Sequence, residues 1–454
     1  MNPKELSLFR LAWPIMIELF LQFMIGTADT LMVSRISDDA VAVVGLSNQF
    51  FQAVIMLFAL VSGGAGIVIS RSLGAGREKD AKSVAAMCVV LIAGIGIAAS
   101  AALSAGSGFF AELLQTPDRL QGMASQYIGI VGGGTLWIGA VMALGTVIRS
   151  TGNTRAPMLV ALGMNAIHLV GNYVFIFGAF GIPKLGLTGV AISTLASRII
   201  ACAALFWIFR RSFSTPIGRR DYFRFDMPLL KEVARVGVPM AVSSASWTFS
   251  QLVIFSMVAS MGAEQLAVRT YLNTMESFCF TLGWAIALAV QIQVAAHYGA
   301  GEHDKAFKSA LRALLWGEII VIANVLLLYG FGKPVLSMFT DNPDIIRLGV
   351  GVILCDLLLQ PLKMANMPIG NSLNAVGDSR YVMMISVPVQ WGVSVVGTYV
   401  FGIAFGWLIY GVYAAMIADE AIRAALANRR WLQRKFMRRD RPAASRAASG
   451  SIGG

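Results

Sequence analysis

A carboxylate inside a membrane span has to be solvated, paired or protonated. Residues 9–34, FRLAWPIMIELFLQFMIGTADTLMVS, carry two of them, Glu18 and Asp29. A charge at the centre of a bilayer costs at least about 2.5–3.5 kcal/mol on insertion scales, so such a residue ordinarily faces a cavity and marks an ion or substrate path. The two acids stand three helical turns apart, which at 100° per residue puts them within about 20° of each other on one face. A proton-binding carboxyl needs a pKa that reaches the working range: desolvation raises it and hydrogen-bond donors lower it. The second half of the chain offers Glu276 in the span 264–296, with Asp356 and Lys363 in the span 344–374. Glu276 and Asp356 fall at a shared depth near the midplane, and Lys363, seven residues beyond Asp356, lies on the same face. Because buried acids and bases tend to pair, a network of Lys363 with Asp356 or Glu276 that fixes helix packing is favoured over direct substrate contact. Arg198 and the group Asp419, Glu420 and Arg423 read as paired structural charges.

The elements that must hold these residues follow from composition. The chain is 57% apolar and 13% charged, against about a quarter charged in ordinary soluble domains, so it is an all-α polytopic membrane protein. Apolar runs of at least 18 residues number twelve: 9–34, 42–70, 83–109, 120–149, 156–178, 186–209, 234–260, 264–296, 307–331, 344–374, 381–404 and 406–428. No cleavable leader is expected, the first helix serving as insertion signal. With residues near the ends of a span counted on the side they adjoin, 27 of the 36 Lys and Arg fall on the side of the termini, 6 on the other and 3, Arg198, Lys363 and Arg423, within spans. By the positive-inside rule both termini are cytoplasmic, in a cell inner (plasma) membrane. This placement accounts for the net charge of +12 without a nucleic-acid partner. Cys88, Cys202, Cys279 and Cys355 lie singly in apolar runs and read as small hydrophobes, with no metal or redox spacing.

Three patterns recur at one offset of 225 residues. PKELSLFRLAWP at 3–14 matches PLLKEVARVGVP at 228–239, the GAG triplets recur at 74 and 299, and IRSTGNTR at 148–155 matches LNAVGDSR at 373–380. Each repeat contains six spans, so the halves form a parallel repeat about an axis along the membrane normal, and such proteins alternate access around a site near the midplane. The expected parts are a lobe at 1–209, a basic cytoplasmic linker at 210–231, a second lobe at 232–428 and a basic, disordered tail at 429–454 attracted to anionic lipid.

The proline fifteen residues before Asp29 in ADTLMV, the loop SLGAGREKDA, the turn IRSTGNTRAPM, NYVFIFG in the fifth span, LGLTGVAISTLASR in the sixth and NAVGDSR after the tenth together resemble the multidrug and toxic compound extrusion (MATE) transporters. The resemblance covers residues 1 to about 428. It implies a V-shaped pair of six-helix bundles and an antiporter that exports small amphipathic, often cationic compounds on inward proton or sodium flow, with no cofactor and as a monomer. Asp29 matches the family's first-helix aspartate. Asn172 opens NYVFIFG, where members carry Asp or Asn, and His168 shares its helical face four residues earlier. Thr194 stands where the sixth span of relatives offers a hydroxyl to the same site. Sodium-coupled members carry acids in helices 7 and 10, whereas 239–260 here has none and Lys363 stands near the second position. A sodium site of the usual kind is therefore not expected in the second lobe. The cavity is expected to be lined by Asp29, Asn172, Thr194, Glu276, Asp356 and Lys363, with coupling on Asp29, Glu18, Asn172 and His168.

The rival readings are a lipid-linked oligosaccharide flippase, an intramembrane enzyme and a passive channel. Spans 1–5 hold two acids and no interior Lys or Arg, which disfavours a pyrophosphate-binding cavity. No HExxH, DDxxD, GxGD or complete GxxxxGK[ST] is present to activate water or cradle phosphate.

Overall fold

The computed structural model describes residues 7–436, apart from 115 and 224, together with helix but not side-chain positions at 180, 219 and 223. The regular structure of the described residues is helical, with no strand. Among the described residues, eleven helical segments are long and apolar enough to cross a bilayer. A twelfth long helix, α15 (Leu408–Leu432), carries Asp419, Glu420 and Arg423 at its middle. The molecule is an all-α polytopic membrane protein, as its apolar runs require.

The chain divides into two compact units, Met1–Ala241 and Val242–Gly454. Unit 1 contains α1 (Leu8–Ser34), α2 (Asp38–Gly74), α3 (Glu78–Ala105), α4 (Ser107–Leu113), α5 (Asp118–Tyr127), α6 (Thr135–Ser150), α7 (Arg155–Phe177), α8 (Gly186–Arg210) and the short α9 (Arg219–Phe223). It also takes the first half of α10 (Met227–Ser260), because the division falls inside that helix. A Cβ on Gly64 of α2 would press on the backbone of Val233 and Gly237, so α10 approaches α2 backbone to backbone there. Glu232 accepts from Arg71 at 2.9 Å beside this contact. Unit 2 continues with α11 (Ala263–Gly299), α12 (His303–Leu336), α13 (Pro343–Ala375), α14 (Ser379–Val389) and α15.

The repeat is written into the helix ends. Helix α2 runs from 38 to 74 and α11 from 263 to 299, both 225 residues on, and α3 and α12 start at 78 and 303. Gly76 and Gly301 close their turns at φ 71° and 74°, and Gly152 and Gly377 at 91° and 83°. After α2, Arg77 N–H reaches the Ser72 carbonyl at 2.8 Å and Gly76 N–H that of Leu73 at 3.1 Å; after α11, Glu302 and Gly301 repeat both bonds at 2.9 and 3.0 Å. These are Schellman closures, in which only glycine adopts the left-handed residue without steric cost.

Two apolar spans are less regular than their sequence suggests. The run at 120–149 is α5, a π turn over Ile128–Gly132, and α6. The run at 381–404 is α14 followed by π segments at Gln390–Val395 and Thr398–Ala404. The expectation of disorder from 429 is corrected over its first residues. Helix α15 continues to Leu432, and Trp431 is fully buried between Phe307 and Phe436. Residues 437–454 of that tail lie outside the described residues.

Candidate functional site

In unit 1 the site is built on one stripe of α7. Its buried positions Met158, Ala161, Asn165, His168, Asn172 and Ile176 recur at three and four residues, so they share a face, and three of them are polar. Facing them, Asp29 of α1 brings its carboxylate to His168 Nε2, 2.7 Å from Oδ1 and 2.9 Å from Oδ2. Asn172 Nδ2 donates to Asp29 Oδ1 at 2.8 Å and lies 3.2 Å from His168 Nε2. The Ser193 hydroxyl of α8 donates to the His168 carbonyl at 2.9 Å and fixes the helix behind the imidazole. The Asp29 side chain keeps 29% of its surface exposed while His168 keeps 7%, so the carboxylate is the least buried member of the group. His168 Nδ1 and Asn172 Oδ1 are buried without hydrogen-bond partners.

Thr194 departs from expectation. Its hydroxyl donates to the Val190 carbonyl of its own helix at 2.9 Å, so it is the neighbouring Ser193 that serves the site. Glu18 is also placed differently from Asp29. Its Oε1 accepts from Arg149 Nη1 at 2.6 Å, and Arg149 Nη2 reaches Thr146 at 3.2 Å. The Thr154 hydroxyl donates to the Arg10 carbonyl at 3.4 Å. The first half of α1 is thereby tied to α6 and the following turn on both sides of Pro14. Arg198, read as a paired structural charge, has Tyr127 and Asp29 as its electrostatic neighbours. Arg423 does pair as expected, with Asp419 at 2.5 Å and Glu420 at 2.7 Å.

In unit 2 the charges form a closed network. Lys363 Nζ of α13 donates to Glu276 Oε2 at 3.0 Å. Glu276 Oε1 accepts from Arg269 Nη1 at 3.2 Å and from the Tyr413 hydroxyl of α15. Arg269 is 1% and Glu276 4% exposed, and the Arg269 guanidinium lies 5.4 Å from the ring centres of both Phe255 and Tyr413. Asp356 accepts from Gln360 at 3.0 Å, and its other oxygen is buried without a partner. Lys363 lines a small cavity with Cys279, Phe280, Gln360 and Met364. The expected pairing of Lys363 with Glu276 is present, whereas Asp356 is held by its own helix.

Sequence reasoning missed Arg149, Arg269, Gln360 and Tyr413. The seven-residue spacing of Arg269 and Glu276, two turns on one helix face, could have exposed one of them. Tyr413 and Arg149 reach their partners from distant helices, which no local pattern reveals.

Helices long and apolar enough to cross a bilayer, with ionisable groups buried between them, define a polytopic α-helical membrane protein. Comparison with known proteins narrows this. The MatE family profile matches residues 14–174 and 239–400, and the chain belongs to this family, the MATE transporters; it is a transporter and not an enzyme. It is 33% identical to the uncharacterized transporter YisQ of Bacillus subtilis (strain 168) over 96% of both chains. It is 25% identical to the probable multidrug resistance protein NorM of Thermotoga maritima, covering 96% of this chain and 95% of that one. Among solved structures, a MATE crystal structure in the bent conformation shares its fold with a TM-score of 0.87 at 21% identity, over 96% of this chain and 97% of that one.

Proposed function

We propose that the protein is a proton-coupled antiporter that expels small amphipathic, often cationic compounds, with Asp29 as the group that takes up and releases the proton. The observation that carries this reading is the setting of Asp29. It is a partly exposed carboxylate within a span, bonded to an imidazole and a neutral amide and to no cationic side chain at ion-pair distance among the described residues. Such a group changes charge without breaking a direct ion pair to Lys or Arg, and Arg198, whose other electrostatic neighbour is Tyr127, is the cation that feels the change. His168 and Asn172 tune it, and Glu18, already bound to Arg149, holds the first half of α1 in place. Glu276, Asp356 and Lys363 maintain unit 2. The basic bias toward the termini supports a plasma-membrane protein with both ends in the cytoplasm.

Protonation removes the Asp29 charge and weakens its hold on α7, which frees α1 to bend or repack beyond Pro14. A proton shifts that equilibrium only by its differential affinity for the two states. The test is Asp29→Asn, which mimics the protonated acid. Expression and folding are expected to persist while proton-for-drug exchange in vesicles is lost, and Asp29→Glu retains part of it. Exchange at the wild-type rate in Asp29→Asn vesicles would refute the assignment.

A further inference from the structure

The arrangement around Asp29 bears on which cation it accepts. Hard cations are held by several oxygen ligands at once, and sodium is a hard cation. The groups that touch the Asp29 carboxylate are nitrogens. His168 Nε2 spans both carboxylate oxygens at 2.7 and 2.9 Å, and Asn172 presents Nδ2. The two nearby hydroxyls are committed to carbonyls, Ser193 to His168 and Thr194 to Val190. The charged and titratable groups that face the site from its other neighbours, Arg198 of α8 and Tyr127 of α5, add a positive charge that a bound metal cation would have to oppose.

A proton meets the opposite situation. A protonated Asp29 needs an acceptor, and two stand in reserve, His168 as its other tautomer and Asn172 through its amide oxygen. His168 Nδ1 and Asn172 Oδ1 are both without partners, in side chains 6% and 0% exposed. With Asp29 ionised, Nε2–H and Nδ2–H donate to it. With Asp29 protonated, either Nε2 accepts in the other tautomer or the amide turns Oδ1 toward the acid. In both states the carboxyl itself finds its hydrogen-bond partners without a metal.

We infer that His168 is the specificity-determining residue of this site: by capping both oxygens of Asp29 it makes the site accept protons and refuse sodium. The inference rests on the reading of Asp29 as the coupling group. It separates His168 from Asn172, whose oxygen could join a metal shell if the imidazole were gone. Replacing His168 by Gln supplies an oxygen in place of the ring, which adds a third oxygen-bearing ligand to Asp29 and Asn172 Oδ1.

The experiment uses the full chain, purified and reconstituted. Melting is followed in sodium chloride against N-methylglucamine chloride at equal ionic strength, and ethidium exchange is driven by an imposed pH gradient or an imposed sodium gradient. The wild-type protein is expected to show no sodium-specific rise in melting midpoint and no sodium-driven exchange. His168→Gln is expected to gain a sodium-specific stabilisation, abolished by adding Asp29→Asn, and to raise the ratio of sodium-driven to proton-driven exchange at least about tenfold. His168→Asn, with a shorter amide, serves as the second variant and is expected to move the ratio the same way. The inference is overturned by Asp29-dependent sodium stabilisation of the wild-type protein, or by folded variants whose ratio stays at the wild-type value. Proton-driven exchange that survives in Asp29→Asn would instead remove the coupling assignment itself.

Discussion

Asp29 and Glu276 are both carboxylates in membrane-crossing helices, yet their surroundings differ in kind. Asp29 is partly exposed and meets an imidazole and an amide. Glu276 is buried and receives Arg269, Lys363 and the Tyr413 hydroxyl. The first arrangement tolerates either protonation state more readily, because among the described residues no Lys or Arg at ion-pair distance loses its partner when the acid is neutral, Arg198 lying farther off. The second is a structural ion cluster, in which neutralising the acid would leave two cations facing each other in a low-dielectric interior. A carboxylate that changes charge during a cycle therefore belongs to the first kind.

The two sites are not copies, although the scaffold is. The residues 225 positions after Asp29, His168 and Asn172 are Ile254, Val393 and Gly397. Those 225 before Glu276, Asp356 and Lys363 are Phe51, Val131 and Ile138. The helix ends and turn glycines are duplicated, and the chemistry was placed on each half separately. The strongest way to test this contrast is to neutralise each acid. Glu276→Gln is expected to destabilise unit 2 by about 3–5 kcal/mol, the cost of removing one partner from a buried ion pair, whereas Asp29→Asn is expected to leave the melting midpoint nearly unchanged. Lys363→Met leaves Glu276 with Arg269 and Tyr413 and is expected to cost clearly less than Glu276→Gln. Melting of the purified proteins followed by tryptophan fluorescence ranks them, and equal losses for Asp29→Asn and Glu276→Gln would erase the distinction.

A smaller effect is expected at the other acid of α1. Glu18 and Arg149 keep 11% and 19% of their side-chain surface exposed, so water screens the pair in part. Glu18→Gln is expected to cost about 1–2 kcal/mol, toward the low end for hydrogen bonds to charged groups. Proton-driven exchange is expected to slow without losing its dependence on the pH gradient. Uncoupled leakage in Glu18→Gln comparable to that of Asp29→Asn would show that coupling is shared along α1.

Much of this was legible before the fold was known. Twelve apolar runs, the 225-residue offset and the glycines at 76, 152, 301 and 377 come from patterns that local physics imposes, periodicity and positive φ. His168 and Asn172 were visible as one face of one helix. What sequence could not reveal was which acid meets which base: Glu18 and Arg149 are separated by 131 residues and Tyr413 and Glu276 by 137. Nor could periodicity announce that Thr194 turns its hydroxyl to its own helix while Ser193 does not. The π segments in 128–132 and 390–404 escaped for the same reason, since their apolar runs read as ordinary helix.

The smallest effect concerns the repeated loops outside the membrane. Arg77 and Glu302 stand at the same place in the two repeats, each capping the start of the next helix with nearly the same backbone, φ −88° and ψ 63° against φ −83° and ψ 58°. Their charges are opposite. Arg77 pairs with Asp80 at 3.4 Å, while Glu302 accepts from Lys305 at 2.5 Å and from His297 Nδ1 at 2.8 Å. The Lys305 ammonium, then the His297 imidazole, holds the Glu302 carboxyl below its ordinary value of 4.5. A lowered folded-state pKa contributes stability that is fully present above 4.5 and is lost as pH falls through the lowered value. Acidification from pH 7 to about 3.5 is therefore expected to lower the melting midpoint of the wild-type protein by slightly more than that of Glu302→Gln. Identical acid profiles for wild type and Glu302→Gln would mean that this loop pair, unlike the buried cluster above it, holds unit 2 by backbone geometry alone.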